Sequence, residues 1–163
     1  MVLLRFASGG RLAKLQEQAQ KRYVIDASVG VKWFTQMHED DIEAALWLQE
    51  LHLNKLSILA VPDLFFYELA NALRYNADFT EDDLVDASTS LMKMNLDAYP
   101  PSNTLMVETL RIARNHDVTV YDTSYLALAQ LLGCICVTAD TKFYRKVKTI
   151  PQLVQLKELA LSP

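Results

Sequence analysis

The chain reads as a three-layer α/β/α domain around a central parallel sheet of about five strands, because short β-rich runs alternate along it with longer amphipathic stretches. Two bulk properties agree. Its 163 residues suit one compact domain with a substantial core. With 51% apolar and 22% charged residues, the composition is that of a globular protein and not a disordered one. The longest apolar run, over 125–137, is broken by Gln130 and Gly133 and falls short of the roughly 18 residues that span a bilayer. A soluble, cytoplasmic protein with no membrane association is expected.

Taken in order, residues 23–26 form a first strand and 40–54 an amphipathic helix, with Ile42, Ala45, Leu46 and Leu53 to one side. A second strand covers 57–61. Pro62 falls where a helix tolerates proline, in the first turn, and the helix follows over 63–75. Thr80 and Asp83 have the spacing of a reciprocal cap for a helix reaching Met94. A weak strand at 96–99 is closed by Pro100 and Pro101, and 102–115 is helical. Asp122 opens a helix that ends at Gly133, a residue suited to the left-handed C-terminal position. A buried strand at 134–138, a short helix at 141–147 and a last strand at 153–156 complete the domain, which spans 23–158 and leaves 159–163 as a tail.

Residues 1–22 stand apart. Five basic residues against Glu17 give this segment a charge of +4, which leaves −8 for the remainder of a chain whose formal charge is −4. Ser8, Gly9 and Gly10 read as a hinge, and 11–22 carries Leu12, Leu15 and Ala19 at helical spacing. The segment lacks the apolar stretch of a secretory signal and is expected to be a basic arm, flexible or helical. Cys134 and Cys136, two apart on one strand, point the same way and are too far separated for a relaxed disulfide, so both are expected as free thiols in a reducing compartment.

Four acids converge on one edge of such a sheet. In a parallel α/β fold the functional edge lies at the carboxyl ends of the strands. Asp26 ends the first strand, Asp140 follows the 134–138 strand by two residues, and Asp122 begins the helix that runs back before it. Glu68 lies in the second turn of the helix after the second strand, at the border of its apolar arc between Leu64 and Ala72. Asp122 and Asp140 also suit helix N-caps, Asp26 a loop and Glu68 a solvent-facing helix position. Together, though, four like charges within several ångströms repel by a few kcal/mol. A hard divalent cation with oxygen ligands, Mg²⁺ or Mn²⁺, removes that cost. Ser28 and Thr138 offer hydroxyls that orient carboxylates or waters.

Four blocks carry these acids: VIDASV at 24–29, PDLFFYELANAL at 62–73, YDTSYLALA at 121–129 and VTAD at 137–140. In order and spacing they resemble the signature blocks of PIN domains, most closely the VapC-type toxins of toxin–antitoxin pairs, over residues 23–158. That resemblance implies a PIN-like parallel sheet, homodimerisation, and divalent-metal-dependent endonucleolytic cleavage of RNA that leaves a 5′-phosphate and a 3′-hydroxyl. It also implies inhibition by a small cognate antitoxin, and Asp26, Glu68, Asp122 and Asp140 match the family's acidic quartet. Asp26 and Asp122 are expected as direct ligands, Asp140 as a ligand directly or through water, and Glu68 as a ligand or as the group that orients the attacking water. The extra residues 1–22 depart from the pattern. Two alternatives are a PIN fold that binds partners without cutting and another α/β Mg²⁺-dependent phosphoryl-transfer enzyme. The second wants an Asp-x-Asp pair, where this chain has Asp26-Ala27-Ser28.

An acidic body is a poor general polyanion binder. Lys142, Arg145, Lys146 and Lys148, interleaved with Phe143 and Tyr144, offer a local answer: cations for phosphates and aromatic faces for bases. Arg74 is a weaker candidate, and His38, His52 and His116 form no motif. Phe65, Phe66, Leu69 and Leu73 widen the apolar surface of the Glu68 helix beyond one stripe, which suits core and dimer interface alike, with Trp33 and Trp47 as further anchors.

Overall fold

The computed structural model describes residues 21–35 and 41–159. Five strands, β1 (Arg22–Ile25), β2 (Ile58–Pro62), β3 (Asp97–Tyr99), β4 (Ile135–Thr138) and β5 (Leu153–Gln155), lie in the order β3-β2-β1-β4-β5. Every neighbouring pair is parallel. Among the described residues, eight helices connect and cover them: α1 (Ala27–Val31), α2 (Ile42–Leu53), α3 (Leu64–Arg74), α4 (Glu81–Lys93), α5 (Asn103–His116), α6 (Val120–Leu132), α7 (Thr141–Val147) and α8 (Leu156–Leu159). The three inner strands are buried on both faces, with Val24, Ile25, Leu59, Ala60, Val61, Cys136 and Val137 fully inaccessible. Near-continuous apolar strands of this kind are what helices on both sides of a parallel sheet require.

Local chemistry accounts for the element ends. Thr80 and Asp83 form the reciprocal cap of α4, each side chain accepting from the other's backbone N–H. Gly133 ends α6 at φ 63°, a left-handed conformation that glycine adopts without strain. A closer constraint sits at Gly30 in α1. A Cβ there would stand 2.6 Å from the Phe65 ring and 2.9 Å from Leu69, so glycine lets α1 lie against α3. That approach brings the helix after β1 beside the helix that carries Glu68.

Several sequence expectations need correction. Pro62 does not open a helix; it is the last residue of β2, beyond the final residue registered with β1 (Val24 with Ala60), so its missing N–H costs that ladder nothing. The five-residue α1 was not foreseen, because so short a turn carries no periodic signal. Arg22, read as the end of a helical arm, begins β1 opposite Ile58. The rest of that arm, residues 1–20, and the tail at 160–163 lie outside the described residues, as does His38. Trp33 is no interface anchor: it is 6% exposed, and its indole N–H donates to the Ala45 carbonyl at 2.9 Å inside the core. Trp47 also packs against the core, partly buried. No helix among the described residues is long and apolar enough to cross a membrane.

Candidate active site

Parallel strands put their carboxyl ends on one edge, and the acids are arranged there. Asp26 follows β1 directly. It is 7% exposed and caps α1: Oδ1 accepts from the Ser28 N–H at 3.1 Å, and Oδ2 accepts from the Thr138 hydroxyl at 2.6 Å. Thr138, the last residue of β4, thus ties two adjacent strand ends together. Its Oγ1 also accepts the Asp140 N–H at 3.0 Å and lies 3.5 Å from the Ser28 hydroxyl, which in turn accepts the Ala139 N–H at 2.9 Å. Ser28, Thr138 and Asp26 form one connected cluster.

Glu68, half-buried in the second turn of α3, accepts at Oε2 from the hydroxyl of Tyr125 on α6. Asp122 lies one turn earlier on that helix, and Oδ2 accepts from the Thr119 hydroxyl at 2.7 Å. Asp122 does not open α6. Thr119 is the N-cap, its Oγ1 taking the Asp122 N–H at 3.1 Å, and the helix starts at Val120. The Thr-x-x-Asp spacing that marks 80–83 recurs at 119–122, so a signal for this cap was present. Asp140 is the N-cap of α7, with Oδ1 accepting from the Lys142 and Phe143 N–H groups at 2.7 and 3.0 Å.

Electrostatics separate these four groups. Burial pushes the Asp26 carboxyl up to about 6; the Thr138 and Ser28 bonds oppose this, and the charges of Glu68 and Asp122 add to it. Glu68 is also raised, first by burial and then by Asp122, against the Tyr125 bond. Asp26, Glu68 and Asp122 therefore form one mutually repelling group. Asp140 is joined to it through Thr138 and is otherwise committed to the α7 terminus. Among the described residues, no three acidic, His or Cys side chains are arranged to ligate one ion directly. The donor set is nonetheless all carboxylate and hydroxyl oxygen, with like charges left uncompensated. It fits a hard divalent ion that takes one or two carboxylates and keeps several waters.

Comparison with known proteins decides the family. The family model described as "PIN domain" matches residues 23–148. The chain belongs to the PIN-domain family. It is 32% identical over 126 residues to Exonuclease VapC9 of Pyrobaculum aerophilum, covering 77% of this chain and 86% of that protein. Among solved structures, PAE2754 from Pyrobaculum aerophilum superposes with a TM-score of 0.57 at 28% identity, covering 86% of this chain and 98% of that one. VapC20 of Mycobacterium tuberculosis, described as a sarcin-ricin-loop-cleaving toxin, superposes with a TM-score of 0.58 at 13% identity, covering 77% and 95%. That second likeness is one of fold. Within the PIN family, the chain is similar to a VapC-type protein.

The basic segment after Asp140 differs from the sequence reading. Phe143 is 3% exposed and belongs to the core, so it presents no face to a base; Tyr144 is half-buried with its hydroxyl 3.4 Å from Glu158. Lys146 turns back to α5, donating to the Asp117 carbonyl and lying 3.6 Å from the Asp117 carboxylate. Lys142, Arg145 and Lys148 remain exposed, with no ion pair among the described residues. Arg74 stacks on Tyr75 at 4.3 Å. His52 holds the fold, linking the Leu59 N–H and the Met94 carbonyl. Sequence reasoning missed Thr119 and Tyr125, the hydroxyls that hold Asp122 and Glu68.

Proposed function

We propose that this PIN-domain protein is a nuclease that hydrolyses RNA with Mg²⁺ or Mn²⁺, as the toxin of a toxin–antitoxin pair. The observation that carries the reading is the buried Asp26 carboxyl, pushed up to about 6 and further raised by Glu68 and Asp122 at the carboxyl edge of the sheet. Such repulsion is costly without a cation, and a retired site has no physical reason to keep it.

Asp26 and Asp122 would hold the ion, with Asp140 reaching it through water. The ion, when bound, supplies an acidified water and neutralises charge on the scissile phosphate. Thr138 and the Ser28 N–H fix the Asp26 carboxylate, and Thr119 fixes that of Asp122, so both acids are oriented before substrate arrives. Glu68, its proton affinity raised by burial, orients the attacking water and takes its proton. The exposed Lys142, Arg145 and Lys148 bind phosphates beside the site, offsetting the acidic body.

The curated relative is named an exonuclease, whereas the sequence reading expects internal cuts. Incubating linear and circular RNA with the protein in Mn²⁺, Mg²⁺ or EDTA tests both points. Cleavage of both forms in metal and of neither in EDTA is expected. Loss of activity on the circle alone would make the enzyme an exonuclease, and equal cleavage in EDTA would remove the metal from the mechanism. The antitoxin reading is supported by an open apolar groove between α3 and α4, lined by Phe66, Leu69, Leu73, Leu84, Leu91 and Met92, which suits an amphipathic helix. A short reading frame beside this one, whose product co-purifies with it and suppresses cleavage, is the expected partner.

A further inference from the structure

We propose that Tyr125 is a positioning residue of the carboxylate site, holding Glu68 in place through the hydroxyl it donates to Oε2; this rests on the metal-nuclease reading. The other acids are fixed close to the backbone. Asp26 and Asp122 accept from residues within three positions of them, Asp26 has Thr138 besides, and Asp140 is bound by two amides. Glu68 has a longer side chain, with one more rotatable bond than an aspartate and correspondingly more freedom to lose on ordering. Among the described residues, Tyr125 is its one hydrogen-bond partner.

The tyrosine is placed for this task. Asp122 and Tyr125 are three apart on α6 and share a face, so one helix presents an acid and, a turn further on, the anchor for a second acid contributed by α3. Tyr125 is 1% exposed, and its ring fills the core as a phenylalanine would. Burying the extra hydroxyl is costly unless it is bonded. The bond it makes commits Oε2 and leaves Oε1 for the ion or the water. In the sequence Tyr125 only opens the apolar run over 125–137, a description that fits its ring alone.

A cycle of four proteins tests the assignment: wild type, Tyr125→Phe, Glu68→Ala and the double variant, each measured for melting temperature, Mn²⁺ binding by calorimetric titration, and RNA cleavage. Tyr125→Phe is expected to melt close to wild type, to bind Mn²⁺ or cleave RNA about tenfold less well, and to add nothing to the losses of Glu68→Ala. Mn²⁺ binding and cleavage at wild-type levels in Tyr125→Phe would overturn the inference. So would a loss that is equally large in the Glu68→Ala background, because the hydroxyl would then act through something other than Glu68. Wild-type protein that neither binds Mn²⁺ nor cleaves RNA would overturn the metal-nuclease reading itself and this inference with it.

Discussion

Replacing Asp26 by Asn should stabilise the metal-free protein at neutral pH while abolishing its activity. The carboxyl is 7% exposed, and in the folded chain it titrates at about 6 against an ordinary value of 3.8. Because the folded value is the higher one, native protein binds the proton more tightly than unfolded chain. Stability is therefore fully present below about pH 4, falls as pH rises toward 6, and stays reduced above. The difference corresponds to about 3 kcal/mol carried as a penalty at pH 8. Asn has nothing to ionise, but it exchanges two bonds to a carboxylate for weaker neutral ones, which costs about 1 kcal/mol. A net gain of about 2 kcal/mol raises the melting temperature by about 4–8 °C in a chain of this size. Thermal unfolding followed by circular dichroism in EDTA, at pH 8 and pH 4.5, measures this. The gain should be present at pH 8 and vanish or reverse at pH 4.5. A variant that melts below wild type by the same margin at both values would refute the claim that Asp26 is a strained, uncompensated charge.

Other expectations follow from particular contacts. Gly30→Ala forces a methyl group into the Phe65 ring and should cost about 1–3 kcal/mol, read as a lower denaturation midpoint. Asp140→Ala removes the acceptor of two α7 amides and should cost about 1 kcal/mol besides its effect on activity, whereas Asp140→Asn, which still caps, should separate the two roles. Neutralising Lys142, Arg145 and Lys148 together should raise KM and flatten its dependence on salt by about one slope unit per lost phosphate contact. Lys146→Ala, which loses its Asp117 partner instead, should leave that slope unchanged.

The sheet and its acid-bearing edge were legible because they rest on regularities of the whole sequence: strand-length runs alternating with helical stretches, most of them apolar and β3 the weakest, and acids placed just past strand ends. Two helix ends with distinctive chemistry, Thr80 with Asp83 and Gly133, were equally readable. Apart from the short α1 and the Thr119 cap, whose signals are local, what escaped depended on tertiary contacts. Phe143 and Lys146 sit among cations in sequence, yet the α7 helix turns the first into the core and the second toward Asp117. Trp33 shows no sequence sign of the Ala45 carbonyl it meets. The Tyr125 to Glu68 bond joins residues 57 apart, and an apolar-looking helix face hides its hydroxyl. Of the hydroxyls that hold the candidate acids, Ser28 and Thr138 stood in view beside Asp26 and Asp140, while Thr119 and Tyr125 did not.

The central claim is that these acids form a metal-dependent nuclease centre, and RNA cleavage by Asp122→Asn beside wild type tests it most directly. Asp122 is half-buried and its cap is supplied by Thr119, so the amide should leave α6 and the fold intact. Both proteins, purified identically and matched by circular dichroism, would be assayed on one labelled RNA across a Mn²⁺ titration. Cleavage by wild type that rises with Mn²⁺ and is lost by at least about a hundredfold in Asp122→Asn is the predicted result. Equal cleavage by the two proteins, or cleavage by wild type that ignores the metal, would contradict it.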